Sequence, residues 1–384
     1  MRCLITQFRR FNYYDDMVKA CRENGLEVAC VYCDDLEDGG QVLETVNRFR
    51  PHFILNHPIY SLVASRVGAM KGIPVVHWIV DKILNKECYN SPIYSDTDLV
   101  LSTYREDADK LAALGVRAGY LLNACNIEPV DYGRVEKQYG VTFVGTIELG
   151  KNNYYRQIMA SGRDTFDRAS PAHAALFQTI QNACDEILHQ QQEASRLFLY
   201  KVPELVAEMY KKTGHVFLQA RFIPDDVVAL LTKETAFHQR RHFLQAIPQL
   251  DAFGPEDWTQ AELPNVSYRG AVDLRASGHV FAASRINLSI TRIYQLDGLS
   301  DRIFNVLRAR GFLLANRQET LSEVFQEGVH LDTYSTVEEL LDKIRFYEKS
   351  PHIREKIAAR GYDNVLKNHT FTQRIREMLP LLSL

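Results

Sequence analysis

The chain reads as an α/β protein built from two doubly wound parallel-sheet units, with a helical insertion in the second. Three observations predict this. Residues 1 to about 130 alternate short apolar runs with helical segments. The same alternation begins again at 139–146 and runs from about Leu250 to Gly361. Between these stretches, from about Tyr154 to His242, apolar residues recur at helical spacing with almost no strand signal. Strand and helix in repeated alternation imply parallel strands covered on both faces.

The elements follow in order. Arg2–Thr6 is a short apolar strand, and Asp15–Asn24 a helix stopped by Gly25. Leu26–Tyr32 is a strand and Gly40–Arg48 a helix. His52–Asn56 is a strand, Ser61–Lys71 a helix ending at Gly72, and Pro74–Val80 a strand. Leu99–Ser102, the helix Glu106–Leu114 and Gly119–Leu122 close the first unit. In the insertion, Ala174–Tyr200 reads as one long helix. Pro203–Lys212 and Pro224–Lys233 begin helices with proline in the first turn. The last helix, Thr372–Leu379, is apolar on one side and stops at Pro380. The expected division is 1–130, then 131–365 with an insertion at about 152–243, then a closing helix in 366–384.

Composition narrows the classes of function. At 384 residues there is ample length for more than one core. Hydrophobic residues make up 46% and charged residues 24%, ordinary for a globular chain. A net charge of −3 gives no general case for nucleic acid or an anionic membrane. Seven scattered cysteines do not read as a disulfide framework. The opening MRCLITQF lacks the regions of a signal peptide, and no apolar run reaches membrane-helix length. A cytoplasmic, reduced setting is the expectation.

Candidate chemistry lies at strand ends, because ligands of open parallel sheets bind beyond the carboxyl ends of their strands. In the second unit, an apolar strand from Ile286 to Ile290 leads through a polar loop into a helix carrying Arg302 and Asn305. A helix N-terminus beside a strand end gathers N–H donors and positive dipole, so it suits a phosphate. Arg302 stands at that start, and Arg285 and Arg292 bracket the strand. Gly145 and Thr146 follow another strand, where glycine lets the backbone approach a ligand. In the first unit, His77-Trp-Ile-Val-Asp81 ends a strand in a carboxylate that can take a proton from a hydroxyl. His57 ends the neighbouring strand. His77 alternates with apolar neighbours, which fits a hydrogen-bonded core histidine equally well. The first loop holds Arg9, Arg10, Tyr13, Tyr14, Asp15 and Asp16, read either as sugar-stacking and basic groups or as an acidic helix start.

The C-terminal third also resembles a known family. The pieces are Arg302-Ile-Phe-Asn305, Leu321-Ser-Glu-Val-Phe325-Gln-Glu-Gly328, Glu338-Glu-Leu340, Arg354-Glu-Lys-Ile-Ala358-Ala-Arg-Gly361 and His369-Thr-Phe-Thr-Gln-Arg374. Val141-Thr-Phe-Val-Gly145 and Tyr268-Arg-Gly270 add to them. Together they resemble the CgeB-like (spore-maturation) glycosyltransferases of GT-B architecture. The resemblance implies transfer of a sugar from a nucleotide-diphosphate sugar to a glycan or protein hydroxyl, without a cofactor or catalytic metal. It implies a donor site formed by Gly145, Thr146, Arg292, Asp297, Arg302 and Asn305. Asp297 and Asn305 occupy the spacing at which many retaining relatives carry two acidic residues, and Asn305 departs from that pattern by lacking charge. Asp81, His57 and His77 are the matching candidates on the acceptor side. The last helix is expected to cross back to the first unit.

The insertion is open to several uses: a cap on the acceptor site, a protein-binding surface, a homodimer contact, or internal packing alone. A fold of this type that has lost turnover and serves as a scaffold is the alternative function. Cys30-Val-Tyr-Cys33 lacks a second pair, and His238 and His242 lack further ligands nearby, so neither reads as a metal site. Gln239-Arg-Arg241 is expected to start a helix packed under the donor site.

Overall fold

A computed structural model describes residues 1–9, 14–84, 93–151, 153–167 and 170–382. It contains two six-stranded sheets, every strand pair parallel.

The first sheet takes β1 (Arg2–Gln7), β2 (Glu27–Tyr32), β3 (Phe53–Asn56), β4 (Val75–Ile79), β5 (Asp98–Ser102) and β6 (Ala118–Tyr120). Their spatial order is β2-β1-β3-β4-β5-β6. Helices α1 (Tyr14–Glu23), α2 (Gly39–Phe49), α3 (Leu62–Lys71) and α4 (Arg105–Ala113) connect them. β3, β4 and β5 are buried along their whole length, as strands covered on both faces must be. Helix α3 starts where Ser61 Oγ accepts the Ala64 N–H at 3.2 Å, which satisfies a donor the helix itself leaves open.

The second sheet takes β7 (Tyr139–Val144), β8 (Leu250–Phe253), β9 (Val266–Tyr268), β10 (Ser284–Ser289), β11 (Leu313–Asn316) and β12 (Asp332–Tyr334). The order is β12-β11-β10-β7-β8-β9. The direction of winding reverses between β7 and β10, which pair in the register Val141↔Ile286 and Leu288↔Phe143. A crevice opens at such a switch point, beyond the carboxyl ends of the two strands.

Between β7 and β8 stand four helices: α5 (Tyr154–Asp167), α6 (Pro171–Ser195), α7 (Val202–Gln219) and α8 (Pro224–Leu244). Their apolar faces meet one another around Ile187, Val206, Phe217 and Leu231. Helix α6 stops at Ser195, short of the expected Tyr200. The apolar period continues, but Phe198 takes a positive φ of 54° and stacks on Phe243, with ring centroids 4.9 Å apart. Helices α7 and α8 run longer than their sequence signals. Gln239, Arg240 and Arg241 lie in the last turns of α8 instead of starting a helix.

After α9 (Ser277–Ala283) and β10 come α10 (Asp301–Arg308), α11 (Glu319–Val324), α12 (Val337–Lys349), α13 (Pro351–Asn368) and α14 (Phe371–Met378). Phe371, Ile375 and Met378 belong to the core of the first unit, with Met17, Phe53 and Trp78. Arg374, buried in α14, donates to the Asn123 carbonyl at 3.1 Å and to Glu377 at 2.9 Å. The two units also meet directly. Lys82 reaches Asp297 at 2.8 Å, Arg275 pairs with Asp16, and Arg105 pairs with Glu323. Tyr104 and Gly298 form an antiparallel bridge, and a Cβ at Gly298 would lie 2.4 Å from the Thr103 carbonyl oxygen. Among the described residues, no helix is long and apolar enough to cross a membrane.

Ile375 is fully buried between α1 and the first sheet. Ile375→Ala is expected to destabilise the protein by about 2–5 kcal/mol, read as a lower denaturation midpoint. An unchanged midpoint would mean that α14 is not needed to complete that core.

Candidate donor site at the β7–β10 switch point

Beyond β7 the chain enters Gly145 and Thr146 and then turns at Glu148, which has a positive φ of 69°. This turn buries the Glu148 carboxylate and aims it back under the sheet edge. Arg240 from α8 donates to it at 2.7 Å, Arg292 from the loop after β10 at 2.7 Å, and Lys233 stands 3.1 Å away. Arg240 also donates to the Thr146 carbonyl at 2.7 Å, and the Thr146 hydroxyl donates to Glu148. Burial works against the Glu148 carboxylate, but Arg240, Arg292 and Lys233 outweigh it and hold its pKa far below the usual range.

Arg302 completes the group from the second position of α10. Among the described residues it makes no hydrogen bond or ion pair. Its guanidinium lies over the Phe143 ring, 4.9 Å from the centroid. Burial, then the charge of Arg240, lowers its pKa to about 9. Burial likewise lowers Arg240 to about 10. Arg292 is the opposite case: burial disfavours its charge, yet Tyr294 and Glu148 raise its pKa. Two guanidiniums and an ammonium therefore share the Glu148 carboxylate, and Arg302 adds a third guanidinium that no carboxylate pairs among the described residues, so cations are in excess at the site. The Ser300 hydroxyl, at the cap of α10, is buried without a hydrogen-bond partner. Unfilled donors at a helix start beside arginine are the chemistry of a phosphate site.

Gly145 is required here. Its φ is 152°, and a Cβ would come within 2.3 Å of Arg302 Nη2. Any larger residue would push the guanidinium off Phe143.

The structure brings together Gly145, Thr146, Arg292 and Arg302. It separates the remaining candidates. Asp297 is held by Lys82 at 2.8 Å and accepts the Glu106 N–H at 3.0 Å, so its carboxylate braces the two units. Asn305 is fully buried, and its side chain pairs reciprocally with Asn126 at 2.6 and 2.8 Å. A ribose contact from Asn305 does not fit that pairing. Arg285 is exposed at the opposite end of β10. His57 is buried against Trp78, with centroids 4.6 Å apart, and burial lowers its pKa to about 3. His77 is buried, with Nε2 3.4 Å from Asp98 and the Ser61 N–H donating to Nδ1 at 3.3 Å. Both histidines are core groups.

Asp81 remains as the carboxylate at the end of β4, exposed to solvent. Its charge reaches across to the second unit: Asp301, at the first position of α10, has a pKa raised by burial and further by Asp81. Arg10 and Tyr13 lie outside the described residues, Asp16 is engaged by Arg275, and the Tyr14 hydroxyl donates to the His57 carbonyl at 2.8 Å. His238 pairs with Glu234 at 3.1 Å, and His242 packs on Phe243. Cys33 lies 3.2 Å from the Ser61 hydroxyl. Among the described residues, no group of three His, Cys, Asp or Glu side chains is placed to hold a metal ion.

Comparison with known proteins meets this geometry at its centre. Residues 238–380 match the family described as glycosyl transferase-like, a span that holds Arg240, Arg292 and Arg302. Among solved structures, T4 phage BGT in complex with its UDP-glucose substrate aligns over 100% of both chains at a TM-score of 0.53 and 11% identity. Sucrose-phosphate synthase from Thermosynechococcus elongatus aligns over 100% of this chain and 98% of its own at 0.52 and 10%. The fold is GT-B. No curated protein matches the chain by sequence. The family match begins at His238, so helices α5 to α7 and most of α8 fall outside it. Within this GT-B fold, Glu148, Lys233, Arg240 and Asp301 were missed by sequence reasoning. Lys233 and Arg240 carried a signal, since they lie seven residues apart on one face of a largely buried helix.

The Glu148 carboxylate is favoured in the folded state, so its contribution is fully present above the ordinary carboxylate range. It fades as pH falls through the lower folded pKa. Below about pH 4, wild-type stability is expected to fall more steeply than that of Glu148→Gln, measured by denaturant midpoints across pH. Glu148→Ala, which leaves Arg240 buried without its partner, is expected to lose about 3–5 kcal/mol at neutral pH. Parallel pH profiles for wild type and Glu148→Gln would remove the carboxylate from this role.

Proposed function

We propose that the chain is a glycosyltransferase using a nucleotide-diphosphate sugar. The observation that carries this is the convergence of Arg240, Arg292 and Arg302 on the β7–β10 switch point, with Glu148 paired to the first two and Arg302 left without an ion pair among the described residues. A diphosphate supplies the missing negative charge. As the bond between the anomeric carbon and the diphosphate oxygen breaks, charge grows on that oxygen, and Arg302 and the start of α10 stabilise it. The acceptor oxygen bonds to the anomeric carbon and releases its proton. Asp81 is the group we assign to receive that proton, from the opposite wall of the cleft. The family match over residues 238–380 supports the reaction class, and the GT-B neighbours are consistent with it.

Further assignments belong to this proposal. The sugar is a hexose, the reaction needs no metal, and the chain is a CgeB-like cytoplasmic enzyme acting on a glycan or protein hydroxyl. A homodimer would use the outer face of the insertion, where Leu197, Leu199 and Leu218 are exposed.

A second reading rests on Asp297 and Asn305. Both are engaged in contacts within the protein, as a fold retained for binding without turnover would allow. Hydrolysis of a bound nucleotide sugar separates the two readings.

Calorimetric titration with UDP, GDP, ADP, dTDP and CMP, with a chelator present, tests the donor site. One nucleotide is expected to bind at micromolar strength. Arg302→Ala is expected to weaken it by roughly 10–100-fold, about 1.5–3 kcal/mol for a charged hydrogen bond. Failure of every nucleotide to bind wild type would overturn the proposal.

A further inference from the structure

A second concave site adjoins the first. It is a pocket of about 580 Å³, bounded by the loop after β4, helix α4, the insertion and Tyr294. That volume lies within the range of small-molecule sites. Its lining is mainly apolar: Leu84, Ala113, Leu114, Pro203, Val228 and Ala229. Leu84 and Leu114 are 40% and 47% exposed.

The two lysines at its margin are held by carboxylates. Lys82 is held by Glu106 at 2.8 Å, Asp107 at 3.3 Å and Asp297 at 2.8 Å. Lys110 is held by Glu106 at 2.7 Å. With Asp225 also on the wall, carboxylates outnumber the two lysines, so the pocket disfavours an anionic ligand and suits a neutral one.

Its position relates it to the chemistry. Lys82, Ile83 and Leu84 follow Asp81 directly in the chain. Tyr294, on the opposite wall, is two residues beyond Arg292 in the same turn, and Arg292 and Arg240 both feel its hydroxyl. That hydroxyl is buried and has no hydrogen-bond partner among the described residues. Six of its fourteen lining residues come from 200–232, outside the family match at 238–380. The part of the chain that is most its own thus shapes this pocket.

We propose that the pocket binds the apolar aglycone of a neutral acceptor, an alkyl- or aryl-bearing sugar whose free hydroxyl is presented toward Asp81. This narrows the acceptor class and rests on the glycosyltransferase reading above.

Calorimetry on the full chain tests it, using hexyl, heptyl and octyl β-D-glucoside below their micelle concentrations, phenyl β-D-glucoside, and maltose. Affinity is expected to rise up to about fourfold per added methylene, as for apolar surface leaving water. Maltose is expected to bind at least tenfold more weakly than octyl glucoside. Ala229→Trp, which fills the pocket from α8, is expected to weaken octyl glucoside at least tenfold while nucleotide affinity stays within twofold. Binding of phenyl glucoside alone supports the proposal with an aryl group as the ligand. The proposal is overturned if maltose binds as well as the alkyl and aryl glucosides, or if no glucoside binds. The chain-length series on wild type decides the alkyl case should the tryptophan variant fail to fold. Loss of nucleotide binding in wild type would instead strike the glycosyltransferase reading, so the two failures are distinct.

Discussion

Glu148 is a carboxylate taken out of water by a single left-handed turn, and three cations from two elements converge on it. An isolated charge at that depth would be strongly disfavoured, so the carboxylate and the guanidiniums require one another. The pairing fixes the end of α8 against the loops after β7 and β10. It also sets the sign of the site. One carboxylate neutralises part of the cation group, and the excess is left at Arg302, which has no acidic partner within hydrogen-bond reach among the described residues. Structural pairing and readiness for an anion thus arise from the same unequal count of charges.

The second constraint is the way the two units are held. Lys82 binds carboxylates from both sides of the cleft, and Gly298 allows the loop before α10 to run against Thr103 without a side chain between them. These contacts sit next to the proposed donor and acceptor sites. Asp297 and Asn305 therefore belong to the frame of the cleft, and positioning of the reacting groups depends on that frame.

Much of the architecture was legible in the sequence. β4 and β11 are short, mainly apolar runs, and the shift to helical spacing after Gly150 marked the insertion. The end of α6 was not legible, because Phe198 leaves the helix to join a core formed by residues distant in sequence. At the site, Arg302 and Arg292 could be read from local position: one starts a helix, the other follows a strand. Glu148 and Arg240 could not be joined, since 92 residues, with three helices and most of a fourth, separate them. His57 and His77 show the limit of strand alternation. A histidine facing a packed sheet and one facing a cleft have the same neighbours in sequence. Asn305 was read by its spacing to Asp297, yet its partner Asn126 lies in the segment joining the two units.

Helix α14 has one more consequence. Its apolar residues fill a core whose other members lie almost wholly before residue 125. Synthesis proceeds from the amino end, and domains commonly fold as they emerge. Here the unit made first stays open along one face until Phe371, Ile375 and Met378 leave the ribosome. The second unit and the insertion must meanwhile be made and accommodated. The first unit is thus closed by a helix made after the second, and its packing waits on residues far later in the chain.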